Sequence, residues 1–206
     1  MVENGVVSNG GQRTHVVAAR VLRGEGAAAG VLRVALGTLA LCASARVEVP
    51  LTPVPFTLQV LALCLVVLAM RPREAVSSAA SYVLVGSLGA PVFSGGMGGV
   101  ARIAGPTGGF ILGFVAAAAV GTLVLRGASC LRVPYVVRAM LALATTIAVV
   151  YTCGWAQLMV VAHLAPAAAF AAGVAPFVAL DLMKAGIATS LAAAGRMARG
   201  GDAVRA

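Results

Sequence analysis

The sequence predicts an all-α polytopic membrane protein, a bundle of six transmembrane helices with both termini cytoplasmic. Three observations predict it. Hydrophobic residues make up 61% of the chain and charged residues 10%, whereas about a quarter of the residues in a soluble domain are charged. Apolar runs recur six times with short connections between them, in the length range that crosses a bilayer. The basic residues gather in alternate connections, as the positive-inside bias requires.

Residues 1–29 read as a poorly ordered basic arm, with Arg13, Arg20 and Arg23 set among glycines. A membrane domain, residues 30–195, contains the apolar runs 31–45, 58–70, 75–88, 110–125, 136–161 and 174–194. Residues 196–206 form a short basic tail. The second and third runs are short, and the flanks at Phe56 and Thr57 and at 89–93 are expected to extend them.

Arg13, Arg20, Arg23 and Arg33 precede or open run 1, and Arg71 and Arg73 separate runs 2 and 3. Arg126, Arg132 and Arg138 separate runs 4 and 5, and Arg196, Arg199 and Arg205 follow run 6. The opposite face receives only Arg46 and Arg102. The net charge of +9 therefore describes a cytoplasmic face apposed to an anionic lipid bilayer and calls for no nucleic acid. A signal peptide is the competing reading, since arginines, residues 34–42 and then Ala43-Ser44-Ala45 resemble one. Its leading segment would be unusually long, and cleavage would leave five spans with basic loops in conflict with the C-terminus.

Inside the sixth run, Asp181 and Lys184 stand three positions apart, a spacing that puts both on one helix face. A charged side chain at the bilayer centre costs about 2.5–3.5 kcal/mol on insertion scales. Such a pair either lines a functional cavity or locks helix packing, and the cavity is the expected reading. Tyr151 and Trp155, four apart on run 5, form one aromatic edge. They suit an interfacial anchor or a pocket wall equally.

Two outward connections are unusual. Arg46-Val47-Glu48-Val49-Pro50-Leu51-Thr52-Pro53-Val54-Pro55-Phe56 holds three prolines in six residues, which fix φ and exclude a helix. Pro91-Val92-Phe93-Ser94-Gly95-Gly96-Met97-Gly98-Gly99 is glycine-rich and permits close backbone approach to a ligand. Ordinary turns would need no more than this. Lying on the same side as Pro176, however, the two are expected to form a lid over the Asp181 face. Run 4 carries small residues every four positions, Gly105, Gly109, Gly113, Ala117 and Gly121, a stripe that lets a neighbouring helix approach closely. Ala185, Thr189 and Ala193 repeat the pattern in run 6.

Several classes are disfavoured. No GxxxxGK[ST] phosphate loop occurs, so ATP hydrolysis by that route is not expected. His15 and His163 are the only histidines, and His163 with Ser94 is a weak hydrolase pairing; no enzyme activity is expected. Cys42, Cys64 and Cys153 lie in apolar runs, and no CxxC pair exists. Neither a metal site nor a disulfide framework is expected, and no cofactor.

Val54-Pro55-Phe56-Thr57-Leu58-Gln59-Val60, Gly89-Ala90-Pro91-Val92-Phe93, Gly105-Pro106-Thr107-Gly108-Gly109-Phe110 and Pro176-Phe177 with Asp181-Leu182-Met183-Lys184 together resemble the BioY family. These proteins are the biotin-binding S components of energy-coupling-factor (ECF) vitamin transporters. The resemblance runs in order from about Val31 to Ala194. It implies six helices, biotin as transported ligand, and assembly with an ECF transmembrane subunit and two ATPase subunits in the bacterial cytoplasmic membrane. It also implies that Asp181 and Lys184 contact biotin. Lys184 can pair with the valerate carboxylate; Asp181 can accept from the ureido N–H groups or orient Lys184. The candidate ligand-binding residues are Asp181, Lys184, Phe93, Gly95, Gly96, Tyr151, Trp155 and Phe56.

The chain departs from the family pattern in two places. An Ala-x-x-x-Ala stripe on the first helix docks the transmembrane partner in the family; here the nearest equivalents are Thr38/Cys42 and Ala40/Ser44. Arg102 stands in the glycine loop, as a second carboxylate partner or as a solvated loop charge. Two other readings stay open: an S component for another small vitamin, and a non-transport membrane scaffold whose Asp–Lys pair is structural.

Overall fold

The computed structural model describes residues 26–49, 54–130 and 132–204, with side chains described as far as Met197. Expectations that fall on residues 1–25, on Pro50 and Pro53, and on Arg205 lie outside the described residues.

Among the described residues, six principal helices follow the order of the apolar runs: α1 (Ala27–Ser44), α2 (Gln59–Ala69), α3 (Pro72–Ser87), α5 (Gly108–Gly127), α6 (Tyr135–Val161) and α8 (Val178–Val204). Two short helices interrupt the sequence, α4 (Val100–Ala104) inside the glycine loop and α7 (Pro166–Gly173) between α6 and α8. Among the described residues, four helices are long and apolar enough to cross a bilayer, namely α1, α5, α6 and α8. With its 11 residues, α2 rises only about 16 Å, roughly half the ~30 Å hydrocarbon thickness.

The flanks do not lengthen it. Phe56–Thr57 is a strand, β2, paired antiparallel with β1 (Glu48–Val49) in the register Glu48↔Thr57 and Val49↔Phe56. Pro55 contributes locally, because a proline holds its own φ near −65° and disfavours helix in the residue before it, so no helix runs back through it. Nor do residues 89–93 extend α3. Gly89 has φ +101°, and its N–H closes a turn on the Gly86 carbonyl. Non-helical backbone at membrane depth is tolerated only where protein satisfies it or it lines a cavity. Phe56–Thr57 meets that condition at the site described below, and residues 89–93 meet it within their own loop, where the Phe93 N–H donates to the Met97 carbonyl.

The small-residue stripe of α5 faces α6. A Cβ on Gly109 would lie 2.3 Å from the Cys153 carbonyl oxygen, and one on Gly121 would lie 2.0 Å from Thr146 Oγ1. Reciprocally, Gly154 of α6 accommodates the Phe110 ring, which a Cβ there would approach to 2.3 Å. On the other flank α1 meets α3 through Arg33, which donates to both carboxylate oxygens of Glu74 at 3.1 and 2.7 Å. The opposite face of α1 exposes Val31, Leu32, Leu36 and Leu39, as a lipid-facing helix should.

Three apolar clusters result. The largest joins α1, α2, α3, α5 and α6 around Leu63, Tyr82, Phe93 and Phe114. A second joins α2, α6 and α8 around Val67, Leu143, Ile147 and Ala185. The third collects Val54, Leu158, Ala169 and Phe177. Residues of all these parts surround the cavity described next.

Candidate binding site

Asp181 and Lys184 lie one turn apart in the first turns of α8, 3% and 5% exposed. Lys184 Nζ donates to Asp181 Oδ1 at 2.7 Å and to the Thr57 carbonyl of β2 at 2.7 Å. The Tyr151 hydroxyl, reaching from α6, donates to Asp181 Oδ2 at 2.6 Å. The ammonium also sits 3.9 Å from the centroid of the Phe56 ring, a cation–π contact worth about 2 kcal/mol when desolvated. Phe56 in turn stacks on Phe177, with centroids 6.4 Å apart and planes 8° apart. Three elements, β2, α6 and α8, thus hold one neutralised pair.

The pair opens into a pocket with a cavity volume of about 70 Å³. Its walls are chiefly apolar and aromatic, with Val60, Phe110, Ile111, Phe114, Val150 and Phe177 among them. Polar groups enter at few places: Thr57, Gln59, Ser94, Thr107, Tyr151, Asp181 and Lys184. Gln59 is fixed by Thr57 Oγ1, which donates to its Oε1 at 3.1 Å, and by its own Nε2, which donates to the buried Tyr82 hydroxyl.

Of the residues singled out from the sequence, Asp181, Lys184, Tyr151 and Phe56 are brought together here. Phe93 is placed elsewhere. It is fully buried and packs edge-on to Tyr82 at 5.4 Å, over Gly86, where a Cβ would lie 2.1 Å from its ring. Gly95 and Gly96 are absent from the pocket wall; they take φ of +73° and +65° and form the turn beside Ser94. Trp155 points to α7, donating from Nε1 to the Pro166 carbonyl at 3.0 Å and meeting Phe170 edge-on.

Sequence reasoning passed over Thr57, Gln59, Thr107, Phe110 and Phe177 as pocket residues. All of them stand within the quoted motifs, so the signal was present, but it did not tell which side chains turn inward.

The proline-containing and glycine-rich connections touch. Glu48 Oε2 accepts from the Gly95 N–H at 2.7 Å, and Arg46 donates from Nη2 to the Pro91 carbonyl. Arg102 is half-buried. Its Nη2 donates to Ser94 Oγ at 3.1 Å, while its Nε is buried without a protein partner. Thr107 Oγ1 is likewise buried and unpartnered, a condition that costs about 1–3 kcal/mol in a folded protein.

On α1, Thr38 and Cys42 turn toward α3. Thr38 Oγ1 donates to the Ser78 carbonyl at 3.2 Å, and Cys42 packs against the core. Ala40 is exposed and Ser44 half-buried, so only that pair presents small residues outward.

Comparison with known proteins sets this geometry in context. The BioY family pattern matches residues 16–200. A probable biotin transporter BioY of Pyrococcus horikoshii is 37% identical over 148 residues, which are 72% of this chain and 84% of that protein. A biotin transporter BioY2 of Lactococcus lactis subsp. cremoris is 40% identical over 94 residues, 46% of this chain and 50% of that protein. The crystal structure of an S-component for biotin from an ECF-type ABC transporter shares the fold, with a TM-score of 0.75 at 16% identity, over 93% of this chain and 95% of the other.

Proposed function

We propose that this chain, which belongs to the BioY family, is the biotin-binding substrate-specificity component of an ECF-type vitamin uptake transporter. It is a multi-pass protein of the cell membrane and a transport component rather than an enzyme. One observation carries the reading to biotin: a buried Asp181–Lys184 pair set in an apolar and aromatic pocket.

The pair presents an N–H donor and a carboxylate acceptor side by side with no net charge. A ureido ring offers the complement, a carbonyl acceptor beside N–H donors. Asp181 already accepts from Lys184 and Tyr151, so it both orients the ammonium and keeps lone pairs for a ligand N–H. Phe56, Phe110, Phe114 and Phe177 suit an apolar thioether ring and alkyl chain.

Binding in this reading needs no nucleotide, because the chain has no phosphate loop. Active uptake requires a transmembrane subunit and two ATPases, docked along the small residues Ala40 and Ser44 of α1. Equilibrium binding of labelled biotin to the purified protein without ATP tests the assignment. Saturable binding displaced by biotin and not by other vitamins is expected. Displacement by another vitamin instead would reassign the ligand, and no vitamin binding would leave the pair structural. ATP hydrolysis by the purified chain above background would overturn the division of labour.

A further inference from the structure

We infer that Arg138 and Arg196, brought together at Tyr135 where α6 meets α8, bind the phosphate of an anionic phospholipid. Arg138 Nε is buried and has no hydrogen-bond partner among the described residues. A guanidinium does not shed its proton, and native folds rarely leave a buried N–H unpaired. An acceptor from outside the chain resolves the deficit. The place is separate from the pocket around Asp181, because Arg138 precedes the pocket residue Val150 on α6 by about 18 Å of helix.

Arg196 supplies the second cation. Its guanidinium carbon stands 4.4 Å from the centroid of the Tyr135 ring, a stack that orients the group and leaves its N–H edge open. Tyr135 and Arg138 are three positions apart on α6, so they share a face with Cβ atoms about 5–6 Å apart. Arg196 is exposed and Arg138 half-buried.

No carboxylate among the described side chains neutralises either group. Those carboxylates are Glu48, Glu74 and Asp181. Ion pairs join Glu74 to Arg33 and Asp181 to Lys184, and Glu48 accepts from Gly95 in the glycine loop. Two guanidiniums with N–H groups to give match a phosphate diester with two unesterified oxygens. The N-terminus of the 27-residue α6 has no side-chain cap and adds a field that favours an anion there.

The surroundings select a lipid. Val136, Val137 and Leu141 of α6 are exposed, as are Leu191 and Met197 of α8. Val137 adjoins Arg138 and Met197 adjoins Arg196, so lipid-facing apolar side chains begin beside both cations. A free anion leaves that surface uncovered, whereas acyl chains cover it. Basic groups between helices at a membrane surface hold anionic headgroups in this way.

Native mass spectrometry of the full chain in detergent, titrated with phosphatidylglycerol or with phosphatidylcholine of the same acyl chains, tests the site. The first phosphatidylglycerol should bind about tenfold more tightly than the first phosphatidylcholine. Arg138→Gln and Arg196→Gln should each lower that preference about fivefold. Arg73→Gln, which removes an exposed charge from α3, should leave it unchanged. Thermal melts report folding, and should Arg138→Gln fail to fold, the exposed Arg196 decides through Arg196→Gln. Equal affinity for the two lipids would overturn the inference, as would equal losses in all three variants, the mark of a general charge effect. Inorganic phosphate or glycerophosphoglycerol that competes at the lipid's own concentration would make the ligand a free anion and overturn it too. So would unchanged lipid binding in Arg138→Gln and Arg196→Gln; loss of assembly with partner subunits in those variants would then assign the arginines to a protein surface.

Discussion

Lys184 Nζ donates to the backbone carbonyl of Thr57 across 127 positions of sequence, at 2.7 Å. The bond ties α8 to the short strand β2 and satisfies a carbonyl that no helix could reach. It also means that the charge at the candidate site is a structural support for β2.

Replacing Lys184 with alanine is accordingly expected to weaken biotin binding by about 2 kcal/mol or more, roughly 30-fold. Titration of labelled biotin into the purified variant measures this. Biotin affinity equal to that of the wild type would assign Lys184 a purely structural role.

The pair should behave as a unit in stability. Removing one partner leaves a buried charge uncompensated, at a cost of about 3–5 kcal/mol. Asp181→Asn and Lys184→Met should each lower the melting temperature in detergent more than the double variant does. Additive losses would show that the two side chains do not compensate each other.

Glu48 joins the proline-containing and glycine-rich connections by accepting from the Gly95 N–H. Glu48→Ala should let them separate more often and raise the biotin dissociation rate about two- to tenfold, the equivalent of one modest hydrogen bond. The association rate should change less. An unchanged dissociation rate would mean that the connections do not gate the pocket.

Close approach of α5 and α6 should be intolerant of a methyl group. Gly109→Ala places a Cβ 2.3 Å from a backbone oxygen and should destabilise by about 1–3 kcal/mol. Gly186→Ala, with nothing within 4 Å of its Cβ, should be neutral or stabilising by up to about 1 kcal/mol. Thermal melts of the two variants side by side distinguish packing from a general effect of glycine loss.

Residue order alone determined the helical membrane architecture, because apolar runs and small-residue periodicity are local properties of a chain in lipid. It also determined that Asp181 and Lys184 share a face, since three positions of helix fix that geometry whatever surrounds it. The inward side of α1 was not legible. Alternation of small residues marks two possible faces, and the Thr38 bond to α3 chose between them.

Only the tertiary structure decided which aromatic rings reach the pocket. Phe93 and Phe177 both follow a proline within two positions, yet one fills the core over Gly86 and the other stacks on Phe56. The same holds for the partners of the charged pair. Thr57 and Tyr151 come from β2 and α6, and nothing in their local sequence points to Asp181 or Lys184. A buried charge is satisfied by whichever polar atoms the packed helices bring within bonding distance, and that choice arises from contacts between distant segments.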